Sequence, residues 1–294
     1  MGMKQAIMGW CPSKFETYQY VFEKYGGTVN AHPDIIYFFM SNLGLKFEFW
    51  HYKEDGEVVA AYFISEGKIF GLNVWKYYPV SRDEVIMPFS PHSRLFVPVR
   101  SNDLSLRHRV GVMNAFYYGK RKICIVKSNF SAKTEKKRNG ELKQFLSCGG
   151  GIFSLRDMTA SEIARLYIYL FKKRFGESVR CYRHENLVNL LSSIPGMIEG
   201  NVLFFKGTPC ALDLVLCSRS NHLAYYDVPN GGMDPEFSAF SPGSLLMWAN
   251  ICDARAQCGR DNREMIFSIG RHEANWDYKL RWAEPQMTGR IISL

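Results

Sequence analysis

The stretch HLAYYDVPNGGMDPEFSAFSPGSLLMWANICDARAQCGRDNREMIFSIG, residues 222–270, followed by YKLRW at 278–282, decides the fold. Tyr225 to Val228 reads as a short buried strand that Asn230-Gly231-Gly232 breaks. Ser241-Pro242-Gly243-Ser244 follow as a helix start, and the helix runs from Leu245 through Cys258 to Gly259. Met265 to Ile269 forms a second apolar strand ending at Gly270, with Tyr278-Lys279 shortly after. A strand that feeds a helix N-terminus through Ser, Pro and Gly is a device for holding an anion. The first helical N–H groups have no intrahelical partner, and the macrodipole is positive there. The same residues also fit a helix that Ser241 caps and Pro242 starts, with no ligand at all.

At 294 residues the chain suits two domains or one large α/β unit, and a hydrophobic share of 47% supports a substantial core. No run approaches the ~18 apolar residues of a membrane-spanning helix, and MGMKQAIMGWCPSKF lacks the apolar region of a secretory signal. The expectation is a chain on the cytoplasmic side. Eight cysteines without a C-x-x-C pair read as reduced, mostly buried thiols. Seven scattered histidines form no H-x-x-x-H or H-E-x-x-H pattern, so no metal is expected.

The net charge of +9 is concentrated. Between Lys120 and Lys143 stand nine basic and two acidic residues, a net of +7. Such a segment attracts phosphate, anionic lipid or nucleic acid, although a solvated helix face accounts for it equally. Ser131 to Cys148 reads as a helix whose sparse apolar side is Phe130, Leu142, Phe145 and Leu146, the remainder being basic. Lys172-Lys173-Arg174 form a second, smaller cluster at a helix C-terminus. No RNA-binding aromatic motif, zinc finger or helix-turn-helix accompanies the charge, so DNA is not an expected partner.

Elsewhere the pattern predicts a helix from Ser13 to Tyr25, capped by Ser13 and Glu16, and another from His32-Pro33-Asp34 to Leu43. Phe47–Tyr52 and Val58–Ile64 alternate around Glu54-Asp55-Gly56 as a hairpin. Strands are expected at 68–72 and at Val85–Phe89, and a helix over Leu104–Tyr118. After a strand at Ile123–Val126 and the basic helix come a strand at Ile152–Leu155 and a helix capped by Thr159 and Glu162. A shorter helix spans Glu185–Ser193, and a meander of three strands covers 201–205, 209–217 and 223–228. Helices followed by a β meander occur twice, which divides the chain into units of residues 1–119 and 120–294.

The order of the second half is similar to the acyltransferase fold of the N-acetyltransferase (GNAT) superfamily. More narrowly it resembles the CelD/Fem-like branch, through KTEKKRNGELKQF (Lys133 to Phe145), SPGSLL (Ser241 to Leu246) and Tyr278-Lys279. That resemblance implies an α/β (α+β) fold of two tandem GNAT-like units with mixed, mostly antiparallel sheets. Over nearly its whole length the chain resembles the Mig-fourteen family of bacterial antimicrobial-peptide-resistance proteins. KYGGTVNAHPD (24–34), PVSRDEVIMP (79–88), FSAKTEKKRN (130–139), YDVPNGGMDP (226–235), SPGSLLMW (241–248) and EMIFSIG (264–270) carry the likeness. It implies a virulence-linked protein peripheral to the inner membrane.

A transferase needs three tasks filled. The phosphates of a donor, acyl-CoA or aminoacyl-tRNA, would meet the helix start at Ser241, Gly243, Ser244 and Leu245, with Lys279 nearby. A base must accept a proton, and Asp213 in ALDLVL or Asp227 at a strand end suits that task, because an apolar strand raises a carboxyl pKa. Asp227 could equally cap the Asn230-Gly231 turn, and Asp213 could pair with a basic neighbour. Tyr278 would serve as general acid to the leaving group. Lys133, Lys136, Lys137 and Arg138 would hold the acceptor's phosphate or a tRNA backbone. The alternative on the same fold is a non-catalytic protein whose basic face binds an anionic membrane surface or a partner.

Overall fold

The computed structural model describes residues 2–67 and 69–293. The chain begins with α1 (Met3–Ile7), β1 (Trp10–Ser13), α2 (Phe15–Tyr25) and α3 (Pro33–Leu43). The hairpin β2 (Phe47–Glu54) and β3 (Glu57–Ser65) and the short β4 (Ile69–Phe70) follow, and β1 to β4 form one sheet in sequence order. The hairpin turns at Asp55 and Gly56, both at positive φ, as a two-residue turn between twisted strands requires. His32 accepts the Asp34 N–H and starts α3 beside Pro33, as the sequence predicts. Of the strand expected at 68–72, position 68 lies outside the described residues.

Two further short strands, β5 (Ser101–Leu104) and β6 (Ala115–Phe116), flank the last strand of the chain, β15 (Gly289–Ile291). Between them come β7 (Lys122–Val126), α4 (Ala132–Ser147), β8 (Gly150–Ser154), α5 (Ala160–Phe175) and α6 (His184–Ser193). Next are β9 (Ile198–Glu199), the meander β10 (Asn201–Phe205), β11 (Thr208–Arg219) and β12 (Leu223–Met233), and then α7 (Pro242–Asp261), β13 (Glu264–Arg271) and β14 (Ala283–Met287). The large sheet runs β14-β7-β13-β12-β11-β10-β8, with β9 paired to β11. Every pairing along it is antiparallel except β12 with β13. Thr159 and Glu162 close a reciprocal capping box at the start of α5, satisfying two orphan amides.

One hydrophobic core joins both halves of the chain. Tyr18, Phe22, Ile35 and Phe39 pack in the same cluster as Tyr167, Leu170, Leu190 and Leu214. Each such side chain contributes roughly 1.5–3 kcal/mol on burial. Buried polar links reinforce the join: Ser218 Oγ donates to the Gly27 carbonyl at 2.8 Å, and Tyr225 Oη donates to Glu84 at 2.9 Å.

Local signals lose to tertiary pairing at several places. Ser13 caps nothing; Trp10–Ser13 pair instead with Phe49–Tyr52, and α2 starts at Phe15 without a side-chain cap. Burial of Trp10 at 1% exposure outweighs one capping bond. The helix expected over Leu104–Tyr118 is replaced by strand ends and a single 3-10 turn at Leu106–His108, where His108 accepts the Met87 N–H. Val85 and Phe89 make isolated bridges to Leu104 and Ala60 in place of a strand. Leu146, expected on the apolar side of α4, is exposed. Asn230-Gly231-Gly232 does not end its strand: β12 continues to Met233 beside β11, absorbing a register shift between Leu214 and Leu216.

Candidate functional site

Parallel pairing between β12 and β13 holds from Leu223–Glu264 to Asp227–Ser268 and then stops. Beyond it β12 stays with β11, pairing Asn230 with Leu214 and Gly231 with Asp213. β13 bends away at Gly270 and reaches Ile123 of β7 through Arg271. Where the pairing of β12 with β13 stops, a cavity of about 630 Å³ opens in the gap. Val228–Gly231 form one wall and Ile269–Arg271 the other. The start of α7, the end of α5 and the segment from Trp276 to Trp282 close it, and Trp75, Ser81 and Asp83 reach in from the first half.

The start of α7 is a poorer anion cradle than its sequence suggests. Ser241 takes the left-handed conformation at φ 49° and makes no side-chain cap. Its carbonyl accepts the N–H groups of Ser244 at 2.8 Å and Leu245 at 3.3 Å. Pro242 has no N–H, so Gly243 supplies the first-turn amide that is not so engaged. Ser241, Gly243 and Ser244 do line the cavity, whereas Leu245 packs beneath with Phe145 and Leu203 in the core.

Asp213 lies on the cavity wall. Asn250 Nδ2 donates to its Oδ2 at 3.3 Å. Burial pushes its carboxyl up to about 6, while the Arg174 guanidinium and the Asn250 bond pull it back. Arg174, from the smaller basic cluster, also lines the cavity and donates to the Gly231 carbonyl at 3.3 Å.

Lys279 and Tyr278 come to the same cavity. Lys279 is buried at 7% exposure, donates to the Arg271 carbonyl at 2.7 Å and lies 4.3 Å from the Trp276 ring centre. Burial lowers its pKa, against the pull of Asp83 and other acids. Tyr278 is more than half exposed, at the edge of the site. Arg271 pairs with Asp83 at 3.0 Å and with Asp103 at 3.3 Å, which ties β13 to the first half.

Asp227 does not line the cavity. It caps no turn either, since β12 continues past it, and it is buried at 4% exposure. Burial first, then the nearby Asp83 and Glu84 carboxylates, raise it to about 8, with Lys279 opposing. A raised acid remains protonated in the folded state while the unfolded carboxyl ionises near its ordinary value. Stability from this group is therefore full below about pH 4 and is lost as pH rises through about 8, by at most about 1.4 kcal/mol per pH unit. Asp227→Asn is expected to raise the Tm at pH 8 by several degrees and to leave it unchanged at pH 4, measured by thermal unfolding across pH.

The α4 basics divide by role. Arg138 pairs with Glu141 at 2.7 Å and lies 5.0 Å from the ring centre of Trp282, a cavity residue. Asn139 accepts the Trp248 indole N–H at 2.8 Å and docks α4 on α7. Lys133, Lys136 and Lys137 are exposed and away from the cavity wall. Sequence reasoning missed Asp83, Arg271, Trp276 and Asn250 as site constituents, because nothing local marks them. Among the described residues no helix is long and apolar enough to cross a membrane, and no His, Cys, Asp and Glu group could hold a metal.

The sequence matches the Mig-14 family over residues 32–291. No curated protein matches it. Among solved structures it is similar to FemX, with 9% identity and a TM-score of 0.60 over 97% of this chain and 96% of that one. It is also similar to L-PGS from Bacillus licheniformis, at 10% identity and a TM-score of 0.48 over 94% and 90% of the two chains. A tandem GNAT protein from the clavulanic acid biosynthesis pathway has 10% identity and a TM-score of 0.44, over 96% and 95%. At such identity the likeness to FemX shows the fold alone, an α/β arrangement with the mixed, mostly antiparallel large sheet expected from the sequence.

Proposed function

We propose, from the premise that this chain belongs to the Mig-14 family and has a Fem-like fold, that it is an acyltransferase. It moves an acyl or aminoacyl group from an activated donor, acyl-CoA or aminoacyl-tRNA, to an anionic acceptor of the cell envelope. The observation that carries this reading is Asp213, a half-buried carboxylate with a raised pKa on the wall of the gap between β12 and β13. Asp213 takes the proton of the acceptor amine or hydroxyl as the new bond forms to the donor carbonyl. The Lys279 ammonium offsets charge developing on the carbonyl oxygen, and Tyr278 returns a proton to the leaving group. Arg174 and the Gly243 amide supply positive charge for a donor phosphate.

Lys133, Lys136 and Lys137 present a solvent-facing basic surface that suits an anionic membrane or a tRNA backbone during transfer. The unit of residues 120–294 holds most of the proposed site, and residues 1–119 contribute Trp75, Ser81 and Asp83. An aminoacyl group adds an ammonium to an anionic acceptor, so transfer weakens the attraction of cationic peptides. That is the route by which such an enzyme would protect a bacterium, working peripherally on the inner membrane.

The test incubates purified protein with radiolabelled acyl-CoA or aminoacyl-tRNA and an envelope lipid fraction. Label should move to the acceptor, and Lys279→Met should reduce kcat by about 100-fold. Absence of saturable binding by both donors would remove the enzymatic reading. Salt-sensitive cosedimentation with anionic vesicles and no transfer would favour the non-catalytic alternative.

A further inference from the structure

Asn250 belongs to the middle of α7, buried at 3% exposure, and faces the sheet between Asp213 of β11 and Asn201 of β10. Its orientation follows from a chain of polarity that starts at a carboxylate. Asp253, exposed on α7, accepts a hydrogen bond from Asn201 Nδ2 at 2.7 Å. An ionised carboxylate only accepts, so that Asn201 atom is the donor nitrogen. The same nitrogen contacts Asn250 at 2.9 Å, and the atom meeting it must therefore be the Asn250 oxygen. The Asn250 nitrogen is left facing Asp213 Oδ2. A flipped Asn250 would set nitrogen against nitrogen and carbonyl against carboxylate, losing both bonds.

The other oxygen of Asp213 is placed by an absence of volume. Oδ1 lies where a side chain at Gly231, its cross-strand partner, would begin. From the elements packed around it, Asp213 faces Arg174 of α5, Asn250 of α7 and the Gly231 backbone of β12, with Asp253 one step further along the chain of amides.

We infer that Asn250 is a positioning residue for Asp213, oriented by Asn201 and Asp253, and that Gly231 leaves the room its carboxylate occupies. This rests on the reading of Asp213 as the base. A fixed N–H donor on Oδ2 favours the ionised carboxylate against the burial that opposes it, and it leaves Oδ1 to accept the proton. The arrangement keeps Asp213 mostly ionised near neutrality inside a largely apolar wall.

The test uses the full chain and the Asn250→Leu variant, which keeps volume and removes the donor. The Asp213 carboxyl is followed by carbon NMR titration, its resonance assigned from Asp213→Asn. Its midpoint should rise from about 6 by about one pH unit, as loss of a charge-assisted hydrogen bond requires. Transfer at pH 6 should fall several-fold, recover by pH 8, and show an unchanged donor KM. Asn201→Ala, which frees Asn250 to flip, should move the midpoint in the same direction and serves if Asn250→Leu does not fold. An unchanged midpoint in the folded variant overturns the inference, whatever its activity. The titration needs no donor, so a shifted midpoint in a protein without transfer activity sinks the enzymatic reading and leaves the positioning intact.

Discussion

Asp213→Asn is expected to lower kcat for acyl transfer by about 100- to 10,000-fold, the range that removal of a general base produces. Donor binding should stay within a few-fold, because Asn keeps the shape of this part of the cavity wall and leaves Arg174 in place. Asn keeps the shape and can still meet Asn250, so the fold should survive. The wild-type profile supplies the second half of the prediction. A base must be unprotonated, and the Asp213 carboxyl titrates near 6, so activity should be level above pH 7 and fall tenfold per unit well below pH 6. Asp213→Asn should abolish that limb. Steady-state kinetics with either donor class decides it: an Asn variant with wild-type kcat would assign the base to another residue.

Gly232→Ala is expected to destabilise the protein by more than about 3 kcal/mol, lowering Tm by roughly 10 °C or preventing folding. The Gly232 Cα faces the backbone of α5, and an added methyl would collide with the Leu170 and Phe171 peptide atoms. Backbone cannot rotate aside as a side-chain tip can. Helix α5 would have to lift from the sheet, disturbing Tyr167, Leu170 and Phe171 in the shared core. Gly243→Ala provides the contrast. Its added methyl meets Met233 Sδ at 3.7 Å, an ordinary contact, and Ala suits a helix better than Gly. Thermal unfolding of the two variants should therefore separate widely, and a Gly232→Ala protein as stable as wild type would contradict the close approach of α5 to β12.

Gly231 and Gly232 explain part of what the sequence left illegible. Asn-Gly-Gly reads as a turn because its local preference is a turn. In the protein Gly231 makes room for a carboxylate and Gly232 for a helix backbone, and the strand runs on through both. Neither need is visible without the partner. Ser241 shows the converse. Ser-Pro-Gly-Ser correctly marks the start of α7, yet the left-handed Ser241 and its doubly accepting carbonyl use up amides counted as free. Of the residues singled out for the site, Asp213, Ser241, Gly243, Ser244, Tyr278 and Lys279 share the cavity wall. Leu245 and Asp227 are interior, and the α4 lysines face solvent.

By itself the sequence determined the elements whose causes lie within a few residues. The Thr159–Glu162 cap, the Asp55-Gly56 hairpin, the three-strand meander and the order strand, helix, strand over 222–270 are of this kind. Tertiary structure decided which of the residues singled out in the sequence come together at one cavity, and what else lines it. The gap opens where β12 and β13 cease to pair, after Asp227 and Ser268, and register shifts lie on the outer edges of both strands, against β11 and β7, which are far apart in the chain. Which carboxylate faces that gap follows from register, and a shift of one residue would have turned Asp213 to the other face of the sheet.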